Sequence, residues 1–247
     1  MWAPALDAVV ERRLLMNYRA DPDVVARLVP TPFRPLLRHG QAVVGICLLR
    51  LGSARPAGWP GAFGLRSENA AHRVAVEWDT PEGTRSGVYI PRRDSASRLN
   101  VVLGGRVFPG VHHRAAFDVV EDRDRLHVGY RALDGSTSVE VNVRVTDELR
   151  GSALFADLAE ASAFFEGGSA GYSASREPTK HDGLQLATSR WHLDPCQIES
   201  TTSSYFDDLT VFPAGSIQSD SALVMRQVPV RWTALAPVRG APAPASI

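Results

Sequence analysis

Four valines at every second position, Val139, Val141, Val143 and Val145, alternate with Glu140, Asn142, Arg144 and Thr146. A segment written this way is an extended strand with one face on a core and the other toward water or a polar cavity. The same period recurs over residues 41–51, 72–79, 84–90, 115–120 and 126–133, so that with 137–146 six strands are expected in the first 150 residues. Further strands are expected at 184–193, 197–206 and 222–235. Helices are the minority. Asp21 can cap a short helix with Pro22 in its first position and Pro30 soon after its end; 95–107 reads as a helical piece interrupted by Gly104-Gly105; and 152–166 reads as an amphipathic helix capped by Ser152 and stopped by Gly167-Gly168. Nine or ten strands with three short helices make the chain mainly β, a barrel or sandwich with helical insertions.

No Pro/Ser-rich linker or internal repeat interrupts residues 1–235, which predicts one domain over 1–236 followed by a disordered Ala-Pro-rich tail over 237–247. The 27 basic and 27 acidic residues cancel, leaving no overall field to draw in nucleic acid or an anionic membrane. No run reaches the roughly 18 apolar residues of a spanning helix. Cys47 and Cys196 are too isolated for a zinc ribbon or a disulfide framework, and a cytoplasmic location is expected.

The conspicuous short motifs carry little. Gly167-Gly168-Ser169-Ala170-Gly171 has the G-x-S-x-G form of a nucleophile elbow, but a helix precedes it where a strand is required. The stretch from Gly104 to Gly110 lacks the Lys-Ser/Thr of a phosphate loop. The seven histidines form neither H-x-H nor H-x-x-x-H, so no metal site is expected, and His72, His127, His181 and His192 read as ordinary strand or surface residues. Lys180 is the only lysine.

Read together, several segments carry more. Asn17-Tyr18-Arg19-Ala20-Asp21-Pro22-Asp23, Val29-Pro30-Thr31-Pro32-Phe33, Ser67-Glu68-Asn69, Gly87-Val88-Tyr89-Ile90, and Gly105-Arg106 followed by His112-His113 resemble, in order and spacing, the acetoacetate decarboxylase-like superfamily over about residues 11–120. The chain is more similar still to a bacterial domain family of unknown function within it, where the likeness takes in Ala163-Phe164-Phe165 to Tyr172 and extends to about residue 235. The resemblance implies a conical, closed β-barrel around a central pocket. In the decarboxylases a lysine of a Lys-Lys pair forms an imine with the β-keto acid, its pKa lowered by its neighbour. The matching pair here is His112-His113, and imidazole cannot form that imine, so Schiff-base decarboxylation is expected to be lost.

Glu68 matches a glutamate that lines the family's pocket. Two functional readings follow and both stay open. In the first, the pocket takes a small carbonyl or carboxylate compound, Arg98 or Arg106 fixes its anionic group, and Glu68 with His112 or His113 moves protons in a lyase, dehydratase or isomerase step without any cofactor. Arg19, Tyr89 and Tyr172, which fall in the motifs above, are the further substrate-binding candidates. In the second, the protein is a non-catalytic small-molecule-binding or accessory protein. Glu68, half-buried at a strand start, needs a partner; an arginine such as Arg98 or Arg106 would make it structural, whereas the expected partner is an imidazole or a water inside the cavity. A homo-oligomer is compatible with the sequence.

Overall fold

Among the described residues the alternation is realised as one sheet of thirteen strands. A computed structural model describes residues 5–60, 64–104 and 109–241. In chain order the elements are β1 (Leu6–Ala20), α1 (Pro22–Ala26), β2 (Arg34–Pro35), β3 (Leu37–Arg38), β4 (Gln41–Pro56), β5 (Leu65–Thr80), β6 (Gly83–Ser95), α2 (Arg98–Leu103), β7 (His112–Glu121), β8 (Arg125–Ala132), β9 (Ser138–Val145), α3 (Leu158–Gly167), β10 (Ala170–Ala174), β11 (Lys180–Ala187), β12 (Asp194–Ser203) and β13 (Ile217–Arg239). Nine of the strands close on themselves in the order β5-β6-β7-β8-β9-β12-β13-β1-β4 and back to β5, while β10 and β11 bridge β6 to the second half of β13. No helix among the described residues is long and apolar enough to cross a membrane.

One long strand of the N-terminal half, β1, has no counterpart in the alternation pattern. It is sandwiched between β13 and β4 and buried on both faces, so apolar residues occupy consecutive positions, Leu14-Leu15-Met16, and the period vanishes. The pairing with β4 slips between Val10 and Arg12. Before the slip Ala8 and Val10 join an outer cluster; after it Leu14, Met16 and Tyr18 point into the ring, and Leu15 points out.

Two apolar layers result. The inward-facing layer is made of Leu14, Met16, Val44, Ile46, Val74, Val76, Val141 and Val143 with the aromatic side chains of Tyr205, Phe206 and Phe212. Outside, Phe155, Ala161 and Phe165 of the α3 region cover Leu15, Val43, Leu223 and Met225. Each fully buried Leu or Phe is worth about 1.5–3 kcal/mol relative to exposure, so this outer layer holds α3 firmly against the sheet.

Three expected boundaries move. α3 starts at Leu158 and is capped by Asp157, whose carboxylate accepts Glu160 N–H at 2.8 Å; Ser152 instead donates its hydroxyl to Asp220 on β13 at 2.6 Å, tying down the approach to the helix. The strand expected over 184–193 is β11, Lys180–Ala187, displaced toward the N-terminus because its core positions are set by pairing with both β10 and β13. β13 runs to Arg239, three residues beyond the expected end at 236, and Gly240 and Ala241 donate to Thr179 and Thr31 carbonyls at 2.9 and 3.0 Å. Residues 242–247 lie outside the described residues.

Candidate functional site

Arg12, Arg50 and Glu68 stand side by side on β1, β4 and β5, in direct register. Arg12 Nη2 donates to Glu68 Oε2 at 2.5 Å, and Arg50 Nε donates to the other oxygen of the same carboxylate. Glu121, at the end of β7 and across the ring, accepts from Arg12 and lies 3.1 Å from Arg50 Nη1. Two guanidiniums and two carboxylates thus form a neutral quartet spanning the ring interior, with Arg12 wholly buried. The partner of Glu68 is therefore a pair of arginines. Among the described residues it is neither an imidazole nor Arg98, and Arg106 lies outside them. The reason is β1: with that strand unrecognised, nothing in the sequence set Arg12 beside Glu68.

Along the same inward face of β5, beyond Ala70, comes His72, opposite Arg92 on β6. Arg92 grips Asp94 with two bonds of 2.9 Å from Nε and Nη2, and the Tyr130 hydroxyl donates to the same carboxylate at 3.4 Å. Burial, and then the charge of Asp94, drives the Tyr130 phenol well above its usual range. His72 is completely buried, its ring 4.8 Å from that of Tyr205 and 5.6 Å from that of Phe206, and neither ring nitrogen has a hydrogen-bond partner among the described residues. Burial first, and the nearby positive charge of Arg92 second, push its pKa down to about 3. It is a neutral imidazole at physiological pH with one donor and one acceptor unspent. The sequence reading passed over His72 as an ordinary strand residue; the available signal was its even position on a strand whose Val74 and Val76 face the core.

The parallel pairing of β6 with β7 sets Arg93 against His112 and Asp94 against His113, which separates the two neighbouring histidines. His113 shares the inward face with Asp94. Its Nδ1 lies 3.4 Å from Asp134 Oδ2, and Arg92 Nη2 is 3.9 Å from the other oxygen, so His113, Asp134, Arg92 and Asp94 form a line of polar groups from the rim inward. Bonds from Ser136 hold the Asp134 carboxyl down at about 2. His112 turns to the outer face, its Nδ1 3.2 Å from the Gly110 carbonyl, and burial with the charge of Arg93 lowers its pKa to about 3. It rests directly on Gly104, where a Cβ would come within 2.4 Å of Nδ1.

Of the other candidates, Tyr89 and Tyr172 are buried together in an aromatic cluster with Phe33, at ring distances of 5.8 and 5.7 Å, and burial raises both phenols. Arg19 points outward and bonds Gln218; Arg98 is exposed at the start of α2. Arg106 lies outside the described residues. The structure therefore brings His113 and Glu68 onto the inward face but binds Glu68 into the quartet, and places His112, Arg19 and Arg98 elsewhere. Lys180 pairs with Asp182 at 2.8 Å on β11. Among the described residues no three His, Cys, Asp or Glu side chains are grouped to hold a metal. A large open groove of about 900 Å³ lies beyond β9 and β12, but its charged rim is satisfied locally: Arg150 pairs with Glu148, Arg144 with Gln197, and Asp220 with the Ser152 turn.

Comparison with known proteins bears on this arrangement. Residues 8–228 match the sequence profile of the DUF2071 family, described as an uncharacterized conserved protein. No curated protein matches the sequence. Among solved structures, acetoacetate decarboxylase from Legionella pneumophila superposes with a TM-score of 0.65 at 12% identity, over 95% of this chain and 88% of that one. The enduracididine biosynthesis enzyme MppR, complexed with pyruvate, gives 0.60 at 12% identity over 97% and 91%. An acetoacetate decarboxylase-like enzyme from Sphingomonas wittichii RW1 gives 0.57 at 12% identity over 99% and 94%. At such identities the likeness is one of fold.

Proposed function

The chain belongs to the DUF2071 family, with an acetoacetate decarboxylase-like fold, and from that premise we propose that the closed strand ring is a barrel whose interior at His72 receives a small carbonyl or carboxylate compound without forming a Schiff base. The observation that carries the proposal is the His72 imidazole, fully buried, neutral, and with both nitrogens unpaired. Buried polar groups are almost always hydrogen-bonded, and one that is not costs about 1–3 kcal/mol. A ligand carbonyl accepting from one ring nitrogen recovers that cost, and the field of Arg92 favours electron density on the ligand oxygen. A structural neighbour that holds pyruvate supports the ligand class.

Schiff-base chemistry has no candidate amine in this part of the fold, since the single lysine is engaged with Asp182 on β11. A neutral imidazole of low basicity is suited to polarise a carbonyl rather than to take a proton at neutral pH. This favours recognition, or polarisation, at His72. A second reading, acid–base turnover, rests on the His113–Asp134 pair on the inward face, where an imidazole oriented by a carboxylate can exchange protons with a compound held deeper in the ring.

The test is a binding screen by calorimetry with pyruvate, acetoacetate and 2-oxobutyrate against wild type and His72→Phe. The proposal expects binding that the substitution weakens at least tenfold. Equal binding by the two proteins removes His72 from the site, and product formation lost on His113→Asn selects the second reading.

A further inference from the structure

Outside the ring, a second concentration of positive charge is left unmatched. Arg13 and Arg73 occupy outward positions on β1 and β5, the face on which Leu15 and Ala75 meet the α3 layer. Arg73 is almost completely buried; its Nη2 donates to Asn17 Oδ1 and its guanidinium lies 4.8 Å from the Phe165 ring centre, but Nε and Nη1 have no partner among the described residues. Arg13 stacks over Trp191 at 5.7 Å, and its Nη1 is buried and unpartnered too. Both side chains line one cavity of about 210 Å³ beneath α3, with Leu36, Val88 and Phe164 among its other walls. Among the described residues, no aspartate or glutamate makes an ion pair with either arginine.

The buried Arg73 guanidinium and the half-buried one of Arg13 face one space and repel each other, and each carries a desolvated N–H donor. Burial, together with the charge of Arg13, lowers Arg73 to about 10, which leaves it charged at neutral pH. Protein interiors tolerate such a charge when something of opposite sign completes it. We propose that this cavity is a binding site for a small organic monocarboxylate, whose oxygens bridge Arg13 and Arg73 and whose apolar body lies against Leu36 and Phe164.

Guanidinium forks match carboxylate geometry. The aliphatic and aromatic walls exclude a fully polar ion, and α3 presents its carbonyl end at Gly167 and Gly168, which disfavours a doubly charged phosphate. At ~30 Å³ per water-sized group the space admits about seven such groups, the size of a five-carbon acid. The inference is independent of the ring interior, since Arg13 and Arg73 stand on the opposite face of the sheet from His72.

The probe is valerate, compared with its neutral isostere pentanamide and with inorganic phosphate at constant ionic strength, read by thermal melts and calorimetry. Valerate is expected to raise Tm by about 5–10 °C at a hundredfold excess over Kd, with no response to the amide or to phosphate. Arg13→Gln and Arg73→Met should each weaken binding at least tenfold. Arg73→Met removes an unmatched charge and also the donor to Asn17 Oδ1, so its own ligand-free Tm is the baseline for its valerate response, and His72→Phe should keep the response of the wild type. If Arg73→Met fails to fold, Arg13→Gln decides alone, its side chain being partly exposed. Absence of a valerate response in wild type, an equal response to pentanamide or phosphate, retention of the response in the arginine variants, or its loss in His72→Phe would each overturn the assignment.

Discussion

Glu68→Gln should destabilise the protein without altering what it binds. The glutamate carboxylate is 16% exposed and receives bonds from Arg12, which is fully buried, and Arg50, which is 20% exposed. Removing one partner of a buried ion pair costs about 3–5 kcal/mol. Two facts reduce this figure here: Glu121 still faces both arginines, and water reaches the Glu68 side of the quartet. A loss of about 2–3 kcal/mol is therefore expected, which for a chain of this size lowers Tm by about 4–12 °C. Glu121→Gln should cost less alone, since its carboxylate is 27% exposed. The double variant strips both counter-charges from buried Arg12 and should lose more than the sum of the single losses by about 1 kcal/mol or more. Urea unfolding monitored by tryptophan fluorescence gives the three free energies. A Tm for Glu68→Gln within a degree of wild type, or strict additivity in the cycle, would refute the view that the quartet is a coupled structural unit.

Acid stability should carry the signature of the buried imidazoles. His72 has a pKa of about 3 in the folded protein against 6.5 when unfolded, so the unfolded state binds the extra proton; stability is complete above pH 6.5 and falls as pH drops toward 3. His112 acts in the same window with the same sign, and each contributes a slope of up to ~1.4 kcal/mol per pH unit. His72→Phe should flatten the stability profile between about pH 6 and about pH 4 by about one proton, and an unchanged slope would contradict the burial of a neutral ring. Asp220→Ala should lower stability by about 2–3 kcal/mol, because its carboxylate accepts from Ser152 Oγ and from Ala153 N–H at 2.6 and 2.7 Å and so anchors the approach to α3; hydrogen exchange should speed up over 152–167 first. Borohydride reduction in the presence of acetoacetate should leave no adduct on Lys180 in intact-mass spectra, and a trapped adduct there would restore imine chemistry.

Much of the strand architecture could be read from the sequence because one face of each strand met the core and the other did not; Val139 to Val145 is the clearest instance. The failures have a common physical cause. β1 is covered on both faces, so its run of Leu14, Leu15 and Met16 has no period, and with it disappeared the register that sets Arg12 beside Arg50 and Glu68. The site suffered in the same way. Successive residues on a strand face opposite sides, so the sequence offered His112 or His113 without choosing, and only the parallel pairing with β6 shows that His113 faces inward. His72 carried no motif at all: its significance lies in what its ring nitrogens fail to meet, which is a property of three-dimensional surroundings.

The central claim is that the His72 imidazole is the contact point for a small carbonyl or carboxylate ligand. Long-range ¹⁵N–¹H correlation of the imidazole side chains, recorded during titration with pyruvate and with acetoacetate, observes that ring directly. The account predicts a neutral His72 ring at pH 7 whose nitrogen shifts move, with saturation, from unpaired to hydrogen-bonded values as ligand is added. A His72 spectrum that remains unchanged through saturation with a ligand that calorimetry shows to be bound would contradict it.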